Sequence, residues 1–213
     1  KLIQCNTDGM TVRIPRGSSH TLKQMCEWWE RQTRLTLEQV NYRRMCIRDV
    51  NNYIGQYENG KVKRKGCYEY KREWHQDHSA IVVPKIAEKV LLEGAPIRET
   101  VENWPDKMDF MARVKVPRSS TLVYTTPAWG DQWFLLPNTC RYYISPNGVH
   151  LFKVMPPLAK KPGEWRRKPD EWRRIGVESG WGVCVCNDIN DAVEPIDYSY
   201  YVREIEKITL GLS

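Results

Sequence analysis

Short strand-like runs alternate with a few longer helical ones along the chain, a pattern that predicts a mixed α+β fold. Leu2–Cys5 and Met10–Ile14 are β-prone runs separated by Asn6-Thr7-Asp8-Gly9, whose composition predicts a hairpin. Pro15-Arg16-Gly17-Ser18-Ser19 breaks the chain, and Leu22, Met25, Cys26, Trp29 and Thr33 then recur at helical spacing. This predicts a helix to about Arg34, N-capped by Ser19, with Trp28-Trp29 used for packing. Thr36–Asp49 fits helix or strand. Val50–Tyr57 reads as a strand, Asn59-Gly60 as a turn, and Lys61–Tyr70 as a basic strand running back.

Ala80–Leu92 reads as a helix with Pro84 near its start and Gly94 past its end, the expected asymmetry. A second helix, about Ile97–Asn103, stops at Trp104-Pro105. After Arg113, strand-prone runs at Thr121–Thr125, Arg141–Ile144, Leu151–Met155 and Gly182–Cys186 are divided by Pro- and Gly-containing turns. One of those turns, Gly180-Trp181-Gly182, carries an anchoring aromatic. Tyr198–Leu210 is amphipathic and helical. A boundary is expected near residues 71–78, giving domains of 1–74 and 75–213.

With 213 residues, 41% of them apolar and 28% charged, the chain can build a core. Its 33 Lys and Arg outnumber 26 Asp and Glu, and the net charge of +7 favours a polyanionic partner, nucleic acid or an anionic membrane. No apolar run approaches the roughly 20 residues of a bilayer span, and no signal-peptide pattern opens the chain. Nucleic acid is therefore the expected partner, with no membrane. The seven cysteines are odd in number, mostly far apart and without a C-x-x-C, which predicts free thiols in a reducing cytoplasm. Cys184 and Cys186 alternate along one strand, where core packing is expected. Nine Trp and eleven Tyr against three Phe suit half-buried positions and contact surfaces. Lys1 is not an initiator Met and strand-like sequence follows at once, so a piece of something longer is expected.

Basic side chains concentrate twice: six Lys and Arg against two Glu over residues 61–74, and eight against three acids over 153–174. The second run repeats Glu-Trp-Arg-Arg at 164–167 and 171–174 with Pro169 between the copies, which argues against one continuous helix. Such runs also occur as solvated faces. His75-x-x-His78 lacks a second ligand pair nearby. Asp8, between two strands, is a suitable ligand for Mg²⁺, the ion that phosphoryl-transfer enzymes use to align attacking and departing oxygens. The same tetrapeptide is also an ordinary turn.

Leu2-Ile3-Gln4-Cys5-Asn6-Thr7-Asp8-Gly9-Met10-Thr11-Val12 resembles motif C of family B DNA polymerases, Asp-Thr-Asp-Ser between two strands. Further segments resemble the phage-type members in order. Arg48-Asp49-Val50-Asn51-Asn52-Tyr53-Ile54 is similar to the strand bearing Lys-x-Tyr, and Lys63-Arg64-Lys65-Gly66 to the lysine–glycine segment after it. His78-Ser79-Ala80-Ile81-Val82-Val83-Pro84-Lys85 resembles the start of the thumb, and Ile196-Asp197-Tyr198-Ser199-Tyr200-Tyr201 the Asp and paired aromatics near the family's C-terminus. The resemblance implies a partial palm of hairpin, short strands and flanking helix, followed by a thumb of helices and short strands. It implies that Asp8 is the catalytic carboxylate of a two-Mg²⁺ site whose other carboxylate lies outside this chain. Asn6 stands at the first aspartate position, Gly9 at the serine, and Asn51 replaces the lysine of Lys-x-Tyr, so only Tyr53 carries over there.

Lys63, Arg64 and Lys65 would contact backbone phosphates of a primer–template duplex, with Gly66 permitting close approach. Lys85, Lys115 and Arg118 are the thumb candidates for the same work, with Ser119 and Ser120 as small donors. Counterparts of motif A, motif B and the exonuclease are not found. The resemblance thus implies dNTP and an N-terminal polymerase portion (exonuclease, fingers and the rest of the palm) as partners, and no activity from this chain alone. A viral protein acting in the host cytoplasm would follow. Two alternatives stand beside it: a stand-alone basic nucleic-acid-binding module, and a subunit that docks on a replisome through a Trp-rich surface.

Overall fold

A computed structural model of the chain describes residues 1–6, 9–71, 79–125, 133–155, 173–188 and 194–212. Helices and several antiparallel sheets are both present, so the fold is mixed α+β. The chain divides into two compact units, Lys1–Glu69 with the last residues from Gly211, and Tyr70–Leu210.

The first unit opens with the expected hairpin. β1 (Leu2–Asn6) pairs antiparallel with β2 (Gly9–Val12), and Asn6 and Gly9 are cross-strand partners. Helix α1 (Ser19–Thr33) follows, but Ser19 does not cap it: the N-cap is Ser18, with no side-chain cap hydrogen bond. Its apolar stripe does not enter a core either. No residue of α1 is buried, Trp28 is 58% exposed and Met25 63%, while Leu22, Cys26 and Trp29 are half-buried. Helical spacing shows which residues share a face; whether anything covers that face is a matter of tertiary structure.

A three-stranded antiparallel sheet completes the unit: β3 (Tyr42–Asp49), β4 (Asn52–Tyr57) and β5 (Val62–Lys65) in that order. The ambiguous Thr36–Asp49 is thus a strand over its second half only, selected by pairing with β4. The expected strand to Tyr70 ends at Lys65, because Gly66 takes a left-handed φ of +65° and starts a short 3₁₀ turn, Gly66–Tyr68.

In the second unit α2 (Val82–Glu93) ends on Gly94 at φ +75°, as the sequence predicts, and α3 (Ile97–Glu102) follows. β6 (Ala112–Lys115), β7 (Thr121–Thr125), β8 (Trp133–Leu136), β9 (Thr139–Met155), β10 (Arg173–Val177) and β11 (Val183–Val185) form one six-stranded antiparallel sheet. The two strands expected at 141–144 and 151–155 are the ends of the single strand β9. Its first half pairs with β6 and β11, its second with β7 and β10. Pro146, which cannot donate to a ladder, falls between the two sets. Gly148 and Gly182 approach so closely that a Cβ on Gly148 would lie 2.3 Å from the Val183 nitrogen.

α4 (Tyr198–Thr209) closes the core. Val82 and Ile86 of α2, Val101 of α3 and Val202 and Ile205 of α4 pack with Leu122, Leu151 and Val183 of the sheet. The Asp-aromatic segment at 196–201 has a structural role here. Asp197 caps α4 by accepting the Ser199 N–H at 3.0 Å. The fully buried Tyr201 hydroxyl donates to the Phe110 carbonyl (2.9 Å) and accepts the Ile144 N–H (3.1 Å). Cys184 and Cys186 sit with Met111 and Tyr143 in a small separate cluster. All seven cysteines are free thiols, and burial pushes the Cys140 thiol up to about 11, which keeps it protonated and unreactive.

Candidate nucleic-acid interface

The pleat of the three-stranded sheet sorts its side chains into two sets. Tyr53 is opposite Lys65 and Ile47, Gly55 opposite Lys63 and Met45, and Tyr57 opposite Tyr42, so these eight residues share one face. Ile54, Arg64 and Cys46 are on the other face, with Ile54 and Cys46 buried. The basic triplet is therefore divided: Lys63 and Lys65 are exposed on the tyrosine face, whereas Arg64 is half-buried on the reverse and donates to the Val62 carbonyl at 3.2 Å.

Three half-buried tyrosines and two lysines make this face amphipathic and cationic. The Lys63 ammonium lies 5.9 Å from the centroid of the Tyr53 ring, within reach of a cation–π attraction. Tyr42 and Tyr57 stack at 4.8 Å and 19°. Gly55 makes room for them, since a Cβ there would meet the Tyr42 ring at 2.7 Å. Burial, reinforced by Tyr57, pushes the Tyr42 hydroxyl well above its ordinary value, so it stays protonated and a donor.

The β3–β4 turn that leads into Tyr53 is tightly held. The Asp49 carboxylate accepts the Asn51 N–H at 2.9 Å and the Asn52 side-chain amide at 2.8 and 2.9 Å, and those hydrogen bonds lower its pKa. Asn52 Oδ1 in turn accepts the Cys67 N–H at 2.8 Å. Gly66 fits beneath this turn, where a Cβ would lie 2.3 Å from the Asn51 carbonyl oxygen and 2.3 Å from Asn52 Oδ1. Contact within the chain accounts for this glycine. Gly66→Ala is expected to destabilise the first unit by more than the about 1–2 kcal/mol of a left-handed backbone alone, since the clash adds to it. Denaturant unfolding measures the loss.

The hairpin is tied to the same turn: Gln4 Nε2 of β1 donates to the Val50 carbonyl at 3.0 Å. Asp8, predicted as the metal ligand, lies with Thr7 outside the described residues. So do His75, His78, the first Glu-Trp-Arg-Arg copy and most of the second basic run. Among the described residues no group of three or more His, Cys, Asp or Glu is placed to hold a metal ion.

The thumb candidates fare differently. Lys85 is committed to a carboxylate of its own unit. Its ammonium contacts both Asp109 oxygens, at 2.8 and 2.7 Å, and Asp109 is only 3% exposed. Lys115 and Arg118 are exposed. Ser119 is exposed too, whereas Ser120 is buried in the turn where its N–H donates to the Pro117 carbonyl. Thr36–Asp49, which holds Tyr42, fits helix or strand by sequence, so only the cross-strand register brings Tyr42 onto Tyr57 over Gly55. The alternation Tyr53-x-Gly55-x-Tyr57 against Lys63-x-Lys65 is the signal that announces the face.

No family model matches the chain, and neither a curated protein nor a solved structure matches it. Among the described residues no helix is long and apolar enough to cross a membrane.

Proposed function

We propose that this chain binds nucleic acid through the Tyr53–Lys63–Lys65 face as the C-terminal palm and thumb of a family B, phage-type DNA polymerase. One observation carries the reading. The hairpin whose paired ends, Asn6 and Gly9, flank Thr7-Asp8 in sequence is hydrogen-bonded through Gln4 to the turn that presents Tyr53 beside Lys63 and Lys65. Template-directed synthesis requires a metal-held 3′ end with the duplex backbone gripped behind it, and a hairpin tied to a cationic, donor-bearing face supports that reading. In this reading Asp8 would be this chain's carboxylate for a pair of Mg²⁺ ions, whose chemistry when bound would be to align the attacking oxygen and neutralise the charge on the departing group. The second carboxylate, the fingers and the dNTP site come from an N-terminal polymerase portion.

The test is complementation. Mixed with a polymerase N-terminal portion that carries motifs A and B, the wild-type chain restores primer extension, whereas alone it extends nothing. Asp8→Ala lowers extension by more than the about 10–100-fold expected for changes outside the ligand shell, while duplex affinity is retained. Extension by the chain alone, or full extension with Asp8→Ala, overturns the reading. Since the tyrosine–lysine face is complete within the described residues, a stand-alone binding module is the second reading. It is favoured if duplex binds tightly and Asp8→Ala changes nothing in any combination.

A further inference from the structure

The second unit holds a groove of about 420 Å³ between β6, β9 and the end of β10, lined by Arg113, Lys115, Lys153, Tyr142 and Glu178 among others. Arg113 and Lys115 stand two residues apart on β6, which pairs with β9 alone and so lies at an edge, and both are exposed. Lys153 comes from the second half of β9, opposite Leu122 and Ile175. The two halves of one long strand, each with its own partners, thus bring cations far apart in sequence to one groove. Among the described residues neither Lys115 nor Lys153 has an ion-pair partner.

Among the described residues, the one carboxylate lining the groove is already engaged. Glu178 Oε1 accepts the Tyr142 hydroxyl and Oε2 the Tyr200 hydroxyl, each at 2.9 Å. Burial and the Glu178 charge push both tyrosine hydroxyls up, so both remain donors to it. Glu178 itself adopts φ +51°, uncommon for a residue with a side chain, and the Trp181 N–H donates back to its carbonyl at 3.0 Å. The left-handed turn and the two tyrosines together hold the carboxylate in place. Lys115 and Lys153 against one such acceptor leave the groove with a positive surplus.

We propose that this groove is a phosphate-binding site, with Lys115, Lys153 and Arg113 as the anion contacts, and that it takes backbone phosphates of duplex nucleic acid. The volume is that of a small-ligand site, room for one or two phosphate groups with their sugars. Long flexible ammonium groups suit phosphate as point charges without reading base identity. The proposal rests on the nucleic-acid reading for its ligand but on a separate site, where it joins Lys115 to Lys153, the first residue of the second basic run, and to Glu178. Free phosphates, as in a nucleoside triphosphate, share the chemistry, and the experiment separates the two sources.

Binding of the full chain to a labelled DNA duplex is followed by fluorescence anisotropy across a series of salt concentrations. A parallel calorimetric titration uses deoxynucleoside triphosphate without metal. Lys115→Gln/Lys153→Gln is compared with wild type and with Lys89→Gln, a half-buried lysine of α2 outside the groove. The expected result for the groove variant is a fall of about 1.8 in the slope of log affinity against log salt, with unchanged thermal unfolding and no change for Lys89→Gln. Loss of triphosphate binding with the duplex slope intact supports the site but assigns it to free nucleotide. Unchanged duplex slope together with unchanged triphosphate binding overturns the proposal. Neither arm depends on synthesis, so failure of Asp8 complementation leaves this result standing, and the reverse also holds.

Discussion

Lys85→Met lowers the stability of the second unit by about 3–5 kcal/mol, the penalty for stranding one charge of a buried pair. Its ammonium is the cationic partner of Asp109, whose carboxylate also accepts the Trp104 indole N–H at 2.7 Å. Without the lysine, a carboxylate that is 3% exposed keeps one neutral donor. Asp109→Asn costs less, since the amide oxygen can still accept from Trp104. The double variant Lys85→Met/Asp109→Leu is less destabilised than Lys85→Met, because no charge is left behind. Urea unfolding of the three variants establishes the order. The same experiment separates the structural role of Lys85 from the phosphate contact its position suggests. A lysine that contacts phosphate changes the salt slope of DNA binding by about 0.9 and leaves the unfolding midpoint alone. If Lys85→Met behaves that way, the ion pair is not what holds this lysine.

Removing both lysines of the tyrosine face, Lys63→Gln/Lys65→Gln, weakens duplex binding roughly 60-fold at 0.1 M salt relative to wild type, taking the two as equal at 1 M. That factor corresponds to about 0.9 log unit per phosphate contact per decade of salt. Arg64→Gln has a much smaller effect on the slope, since Arg64 lies on the reverse of the sheet beside buried Ile54. Tyr53→Phe removes a hydroxyl from the face and costs about 1 kcal/mol of affinity without moving the slope. Anisotropy titrations over the same salt series read all three. Equal slope changes for Arg64 and for each of the two lysines would show that the pleat does not govern which side chains meet the ligand.

The polar and apolar pattern located the β1–β2 hairpin, α1, β4, β7, α2 with its Gly94 cap, and α4, because each carries a local signal: turn residues, helical period or a capping glycine. β6, β8 and β10 escaped it. Each is a strand by its pairing with β9 or β7, and strand formation depends on such neighbours more than on a segment's own side chains. The same physics left Thr36–Asp49 undecided until β4 was available to pair with its second half.

The candidate sites divide along the same line. Residue types and charge are properties of the sequence, so the cationic balance, the tyrosines and the Lys63-Arg64-Lys65 triplet were visible there, as were the free cysteines. Which of those side chains share a face was decided by cross-strand register, which put Lys63 and Lys65 with Tyr53 and turned Arg64 away. Partnering was decided by packing between segments distant in sequence. Lys85 is drawn to Asp109 across 24 residues, Glu178 to Tyr142 across 36, and Lys115 and Lys153 line one groove because β9 pairs with β6 through its first half and carries Lys153 on its second. A charge is written in one residue, but its availability to a ligand depends on what the folded chain sets beside it, and no local pattern carries that information.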